Sequence, residues 1–173
     1  GLKYAFLLLL TIFSTFAQAE YFVIKDYKVD MKVHGSQGMF EVNETIVVQF
    51  SEPRRGIFRN IPFRYRINGE QVEIEIFDVH VESFKYKNYE ENNDYVIRIG
   101  DPDIYVEGIQ TYYISYKVKK AFLFSENHTE FYWNIVGNGW QVPIDTIQYK
   151  VTLDQSIPMT ENDYYIYTGL EGE

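Results

Sequence analysis

The segment Glu130-Phe-Tyr-Trp-Asn-Ile-Val-Gly-Asn-Gly-Trp-Gln-Val-Pro-Ile144 contains both tryptophans of the chain. Its first half alternates in period two with large side chains on both faces, which predicts a central strand covered on each side. The Gly-Asn-Gly run at 137–139 tolerates positive φ and predicts a tight turn. Trp140 follows this turn, and Pro143 limits the pairing of the next segment. We therefore expect the rest of the chain to pack around this strand and turn.

Alternation of apolar and polar residues extends over most of the remaining chain. It predicts strands at residues 21–33, 40–50, 63–67, 72–84, 95–99, 109–118, 147–153 and 164–168. Glu44 interrupts the apolar face of the second strand, and a phase change in the fourth predicts a bulge near Phe77. Asn68-Gly69 predicts a hairpin turn. Residues 51–56 are expected to form a loop and residues 56–62 a packed, folded-over loop. Residues 85–94 are expected to form a mobile connection, and residues 121–129 a short helical turn.

These strands are typical of an all-β fold, since no segment past residue 19 shows the apolar period of an amphipathic helix. We interpret them as an antiparallel β-sandwich, immunoglobulin-like or jelly-roll-like, with a barrel as the alternative. The 173 residues suffice for one domain with a real core but not for two. The expectation is a single β-sandwich domain over residues 20–173.

The composition excludes several classes of function. The formal net charge of −9 argues against a nucleic-acid partner, because a surface that follows phosphates needs positive charge. The chain has no cysteine, which excludes disulfides, thiolate metal sites and cysteine nucleophiles.

The first nineteen residues have the pattern of a secretory signal peptide. Lys3 precedes an uncharged run at residues 4–16, and Ala17-Gln18-Ala19 fits a cleavage site. A buried helix or a membrane anchor is the alternative, but the run is shorter than the roughly 20 residues that span a bilayer. Gly1 in place of methionine indicates an expression scar. We therefore expect an exported protein.

Four stretches together identify a family resemblance. They are Arg55-Gly-Ile-Phe-Arg-Asn-Ile-Pro62, Ile99-Gly-Asp-Pro102, Gly108 with residues 111–116, and residues 130–144; the opening 22–27 and the closing 167–169 with Gly172 also fit. In this order they resemble the N-terminal extracytoplasmic domain of the predicted bacterial membrane proteins called domain of unknown function 2207. The resemblance implies a signal peptide, a β-rich outer domain, later transmembrane helices and a cytoplasmic tail. It transfers no catalytic residues, because the family has no established activity.

Three arginines, at positions 54, 55 and 59, cluster in this acidic chain. Arginine binds carboxylates and phosphates through two parallel hydrogen bonds, so the cluster is a candidate site for an anionic ligand. The alternative is a set of salt bridges that fastens the loop to acidic neighbours such as Glu130.

Carboxylates suggest two further kinds of site. Asp101, Asp103 and Glu107 could hold a hard cation, but they lack the spacing of an EF-hand, and Asp-Pro is ordinary turn chemistry. Glu130 with Asp145 or Asp101 would make an acid–base pair for glycan hydrolysis, with the tryptophans stacking on a sugar. His34, His80 and His128 show no metal-ligand spacing. We expect no metal and no cofactor.

The leading interpretation is a non-enzymatic ectodomain on the extracytoplasmic face of a bacterial membrane, held there by segments after residue 173. It would bind a protein or glycan partner. A cell-envelope glycan-active enzyme is the alternative, and a purely structural domain is the third. The residues expected to carry binding are Arg55, Arg59, Glu130, Asn138 and Trp140.

The binding face is expected beside the turn at 137–139. Trp133 would be buried, whereas Trp140 would lie near the surface within reach of Arg55 or Arg59. This arrangement would combine a stacking ring, amide donors and positive charge. In the alternative, both tryptophans belong to the core and the arginines only fasten a loop.

Residues 1–19 are predicted to be dispensable for folding, because an exported chain folds without its signal peptide. A chain that begins at Glu20 should unfold cooperatively on heating, with the same midpoint as the chain that keeps the segment. Loss of the cooperative transition would instead place residues 1–19 in the core.

Overall fold

The computed structural model describes residues 21–67, 69–124, 129–131, 133–137 and 139–154, without the side chains of 123–124 and 129–131. These residues form twelve β-strands and a short 3-10 helix at Gly35–Gln37. The strands are β1 (Phe22–His34), β2 (Met39–Arg54), β3 (Ile57–Pro62), β4 (Arg64–Ile67), β5 (Glu70–Glu73), β6 (Glu75–Val81), β7 (Tyr86–Glu91), β8 (Asp94–Ile99), β9 (Val106–Lys119), β10 (Phe122–Phe124), β11 (Thr129–Phe131) and β12 (Ile147–Leu153).

The largest sheet has five strands in the order β12-β1-β2-β9-β6. Its long inner strands are antiparallel. β1 and β2 are joined by a short turn, whereas β9 comes from a later part of the chain. The edge strand β12 is the exception, because it pairs in parallel with β1, from Tyr27 opposite Ile147 to Val33 opposite Leu153.

A second sheet, β3-β8-β7, faces the first, and the hairpins β4-β5 and β10-β11 complete the described strands. Period-two alternation turns one face of each sheet inward, so that side chains from both sheets form a single apolar cluster. Tyr27, Phe40 and Tyr112 come from the large sheet, and Ile57 and Ile97 come from the smaller one. The prediction of an all-β sandwich is confirmed.

Several sequence predictions hold in detail. The predicted hairpin joins β4 to β5, and Gly69 between them has φ of 84°; Asn68 itself lies outside the described residues. The predicted bulge near Phe77 is present as a register shift between Phe77 and His80, where Asp78 has φ of 50°. The predicted signal peptide and the strand expected at 164–168 lie outside the described residues.

Two segments predicted to lack regular structure are strands. The expected loop at 56–62 is β3, whose inward positions are Ile57, Arg59 and Ile61; the arginine concealed the apolar period. The expected mobile connection at 85–94 contains β7, an edge strand of the small sheet. Its polar sequence suits a partly exposed edge, where burial does not demand apolar residues.

Three other segments also differ from expectation. The long strand expected at 72–84 breaks at Ile74, whose N–H donates to the Phe63 carbonyl, so β5 and β6 belong to different sheets. The helical turn expected in 121–129 begins as strand β10. The central strand expected over 130–136 ends at Phe131, and residues 133–137 and 139–146 cross the core outside any multistranded sheet.

Gly56 and Gly100 hold the start of β3 against the end of β8. Their φ values are 138° and 136°, which side-chain-bearing residues rarely adopt. A Cβ on Gly56 would lie 1.8 Å from the Ile99 carbonyl oxygen, and one on Gly100 would lie 1.8 Å from that of Arg55. The two backbones therefore approach each other where only glycine fits.

Replacement of Gly56 by alanine should cost at least about 4 kcal/mol of unfolding free energy, because both the φ angle and a backbone collision oppose the methyl group. Gly38→Ala is the matched control, with positive φ but no atom within 4 Å of the added Cβ; it should cost only about 1–2 kcal/mol. Urea titration measures both. Equal costs would contradict the close approach.

Candidate functional site

An ion pair lies inside the sandwich between Glu44 on β2 and Arg59 on β3. Each residue is only 1% exposed. Arg59 donates from Nε to Glu44 Oε2 at 2.9 Å and from Nη2 to Oε1 at 2.7 Å. This two-bonded geometry matches the guanidinium fork to the carboxylate, and it joins the two sheets through their facing sides.

The remaining hydrogen-bonding groups of the pair also have partners. Tyr116 on β9 donates its hydroxyl to Glu44 Oε1 at 2.8 Å, and Arg59 Nη1 donates to the Asn60 carbonyl at 2.9 Å. Burying two charges is tolerated only when such bonds compensate for the lost water. The cluster therefore fixes β2, β3 and β9 relative to one another.

The charges in this cluster stabilise one another. Burial disfavours the Arg59 cation, but the Glu44 carboxylate outweighs it and raises the pKa of Arg59 well above its usual value. Burial, together with the negative charge of Glu44, raises the pKa of Tyr27 and Tyr116 well above the usual range. Both tyrosines therefore remain neutral wherever the pair is formed.

The described residues from Trp133 to Trp140, which we name the tryptophan segment, cover the cluster of Arg59, Glu44 and Tyr116. The Asn134 side chain accepts a hydrogen bond from the Gly137 N–H at 2.9 Å, which forms a local turn. A Cβ on Gly137 would lie 2.9 Å from Arg59 Nη1, so the backbone passes directly over the guanidinium. Trp140 then packs edge-on against Tyr27, with ring centroids 6.0 Å apart.

The structure separates the residues that we expected to form one binding face. Arg59 is enclosed by Glu44 and the Asn60 carbonyl, so it does not present its donors to solvent. Trp140 is half-buried with its ring 5.9 Å from the Arg59 guanidinium. Asn138 lies outside the described residues, as does the side chain of Glu130, whose backbone belongs to β11.

The exposure of the tryptophans also differs from the expectation, in which Trp133 is buried and Trp140 lies near the surface. Trp133 is half-buried rather than fully buried, and its ring packs edge-on against Phe40, with ring centroids 5.0 Å apart. Trp140 has a similar environment against Tyr27. Both therefore belong to the layer that closes the core.

Arg55 lies instead in an open groove of about 440 Å³ at one end of the sandwich. We name it the Arg55–Tyr105 groove. Its lining residues are Pro53, Arg54, Arg55, Gly56, Ile57, Phe58, Arg98, Ile99, Gly100, Asp101, Pro102 and Tyr105. The glycine pair leaves room there, because neither residue fills the groove with a side chain.

Gly56 explains why Arg55 and Arg59 have opposite environments. Along β3, Arg59 shares the inward face with Ile57, and Phe58 points outward. Continued alternation would place Arg55 inward as well. The chain departs from strand conformation at Gly56, and Arg55 is exposed, with Nη2 donating to the Tyr105 hydroxyl at 3.1 Å.

Positive charge and exposed rings meet in the groove. The Arg55 guanidinium carbon lies 5.1 Å from the centre of the Tyr105 ring, and that of Arg54 lies 3.5 Å from the Tyr21 ring. Phe58 and Tyr105 are 56% and 61% exposed. Arg98 lies opposite Phe58 on the neighbouring strand and is also exposed.

Two acidic groups near the groove, Asp101 and Glu52, are already paired. Asp101 accepts from Lys85 Nζ at 2.6 Å and from the Asp103 N–H at 2.9 Å. The Lys85 hydrogen bond, followed by that of Asp103, lowers the pKa of Asp101. Glu52 pairs with Arg54. Within the described part of the chain, neither Arg55 nor Arg98 has a carboxylate partner.

The other candidate constellations are dispersed. Asp101 forms a turn with Asp103, and Asp145 pairs with Lys25 on β1. Among the described residues, no three carboxylates or histidines form a group that could hold a metal. His34 forms a hydrogen bond with Glu41, and His128 lies outside the described residues.

One of the residues that we missed has a signal in the sequence. Glu44 interrupts the apolar face of β2, and a carboxylate at such a buried position needs a cationic partner. Phe58 and Arg98 could not be placed in one groove, because the pairing of β3 with β8 was not predicted.

Comparisons with known proteins agree with the sequence resemblance. The family described as "Predicted membrane protein (DUF2207) N-terminal domain" matches residues 23–171. No curated protein matches the chain. Within the described residues, no helix has the length and apolar character to cross a bilayer.

Solved structures show only distant likeness. An M1 zinc metallopeptidase from Deinococcus radiodurans shares 11% identity at a TM-score of 0.44, over 80% of this chain and 34% of its own. Native leukotriene A4 hydrolase from Saccharomyces cerevisiae shares 10% identity at a TM-score of 0.37, over 56% of this chain and 15% of its own. The chain thus spans about a third or less of the length of these proteins.

Removal of one partner of the buried pair should be strongly destabilising. We expect Glu44→Gln to cost about 3–5 kcal/mol, because it leaves Arg59 charged and uncompensated in the core. Glu73→Gln is the matched control, since Glu73 pairs with Arg64 at 3.0 Å on the surface; it should cost less than about 1 kcal/mol.

The double variant Glu44→Gln with Arg59→Met supplies the decisive comparison. It should cost clearly less than the sum of the two single changes, because no unpaired charge remains. Denaturant titration measures the free energy of unfolding of the unsubstituted chain, of each single variant and of the double variant. Strict additivity would show that the two residues act independently.

Proposed function

The chain belongs to the DUF2207 N-terminal domain family of predicted membrane proteins, and on this premise we propose that it is an exported recognition module that binds a ligand or partner outside the cytoplasm. Residues 1–19 would act as its signal peptide, and membrane segments following this domain would anchor it. Binding would occur in the Arg55–Tyr105 groove.

One observation carries this proposal: arginines and exposed rings meet in a groove on an otherwise acidic chain. Exposed apolar groups next to cations are typical of interaction sites, where rings supply contact area and arginine supplies directed hydrogen bonds. Phe58 and Tyr105 are more than half exposed. Arg55 retains most of its five donors, since only one bond to Tyr105 is formed within the described residues.

The position of the groove supports a role in recognition. Tyr21, at the start of β1, stacks with Arg54 of the groove. At the other end of β1, the Val33 carbonyl accepts from the Asp154 N–H after β12. β1 extends about 35–40 Å at the usual rise per residue. The groove therefore opens at the end of the sheet remote from Asp154, on whose C-terminal side the membrane segments are proposed.

We propose binding without catalysis. The two partners considered for Glu130 in an acid–base pair, Asp101 and Asp145, are each engaged by a lysine. At Asp101 the Lys85 hydrogen bond lowers the pKa, which suits anchoring more than the donation of a proton.

Photo-crosslinking in the full-length membrane protein tests the proposal. A photoreactive phenylalanine analogue placed at Phe58 or Tyr105 should give a discrete crosslinked product in intact cells, because both rings would touch the bound partner. Tyr113 is the matched control position, being a 48% exposed ring on β9 outside the groove; it should give no such product.

Two further results decide the outcome. Arg55→Ala should abolish the product formed from Phe58, since it removes a contact without moving the probe. Equal products from Phe58 and Tyr113, or none from either groove position, would reject the groove as the binding site.

A further inference from the structure

We infer that the Arg55–Tyr105 groove takes an acidic peptide segment, whose carboxylates bind Arg55 and Arg98 and whose apolar side chains rest on Phe58. This inference rests on the proposed function and names the chemistry of the ligand. It follows from the charges, the exposed rings and the open backbone at the groove.

The arginines specify a carboxylate. A guanidinium stacked beside an aromatic ring is held in orientation and keeps its outer N–H groups in the plane, where they match the two oxygens of a carboxylate. Arg55 is held this way by Tyr105, through both ring contact and hydrogen bond. Arg98 on β8 adds a second cation without a carboxylate partner among the described residues, so one ligand segment could place two acidic groups.

The apolar part of the groove specifies a peptide. Phe58 lies opposite Arg98 in the register of β3 and β8, so a ligand that reaches Arg98 also covers the phenyl ring. Cross-strand neighbours of this kind lie about 5 Å apart at Cβ. A phosphate polymer offers nothing apolar to bury this ring, whereas a peptide supplies carboxylates and apolar side chains on one backbone.

The surrounding charges permit an anionic ligand. The formal net charge of −9 would repel one from most of the surface. At the groove, however, Lys85 neutralises Asp101, and Arg54 neutralises Glu52. Neither Arg55 nor Arg98 has a carboxylate partner within the described residues, so both can bind an anionic ligand.

Defined polymers test the inference on the isolated chain. The probes are a labelled random copolymer of glutamate and tyrosine, poly-glutamate, and inorganic polyphosphate, with binding followed by fluorescence anisotropy. The copolymer should bind most tightly. Arg55→Ala and Arg98→Ala should each weaken its binding about tenfold or more, as expected for loss of a charge-assisted hydrogen bond.

Three variants separate specific contacts from net charge. Arg66→Ala removes the same charge at an exposed position on β4 outside the groove and should leave the affinity unchanged. Arg55→Lys keeps the charge but loses the fork, so it should bind nearly as weakly as Arg55→Ala. Phe58→Ala should weaken copolymer binding about fivefold but leave poly-glutamate binding unchanged.

The outcomes distinguish this inference from the proposed function. Absence of copolymer binding, or equal losses from Arg66→Ala and Arg55→Ala, would overturn the acidic peptide. Polyphosphate binding as tight as that of the copolymer and insensitive to Phe58→Ala would assign the groove to phosphate polymers instead. In either case, crosslinking from Phe58 in cells would still establish the groove as a binding site.

Discussion

The buried contact between Arg59 and Glu44 is the constraint on which the rest of the structure depends. Removal of two charges from water costs several kcal/mol per ion, and only well-aligned hydrogen bonds offset that cost. Those bonds come from Arg59, the Tyr116 hydroxyl and the Asn60 carbonyl. Because they arise on β2, β3 and β9, they fix how the two sheets face each other. The tryptophan segment lies over the guanidinium that these bonds hold in place.

The motif Arg55-Gly-Ile-Phe-Arg59 contributes one arginine to the buried ion pair and the other to the surface groove. Gly56 separates them, because its backbone conformation ends the alternation that places Arg59 inside. Gly100, directly after β8, likewise leaves space because it has no side chain. The two glycines are therefore needed twice, once for the close approach of the strands and once for the space beside Arg55. Both glycines lie within stretches that carry the family resemblance.

Much of the fold could be predicted from the sequence, whereas the site could be predicted only in part. Period-two patterning located long strands such as β1, β2 and β9, because one face is buried over most of β1 and β2 and over the second half of β9. It failed for β3, where a buried arginine replaces an apolar residue, and for β7, where an exposed edge removes the pattern. Arg55 was identified from its residue type and neighbours. Its partners Arg98 and Tyr105 come from distant segments, and only the pairing of strands brings them together.

The parallel pairing of β12 with β1 has a consequence for how the protein is assembled. Tyr27 and Ile147 are neighbours in the sheet but 120 residues apart in sequence. Contacts between such remote segments form late and slowly, since a long loop must close before they contribute. Until β12 arrives, one edge of β1 has unpaired backbone groups that can pair with other chains. The most aggregation-prone interval in the life of this domain is therefore the one before its last described strand is added.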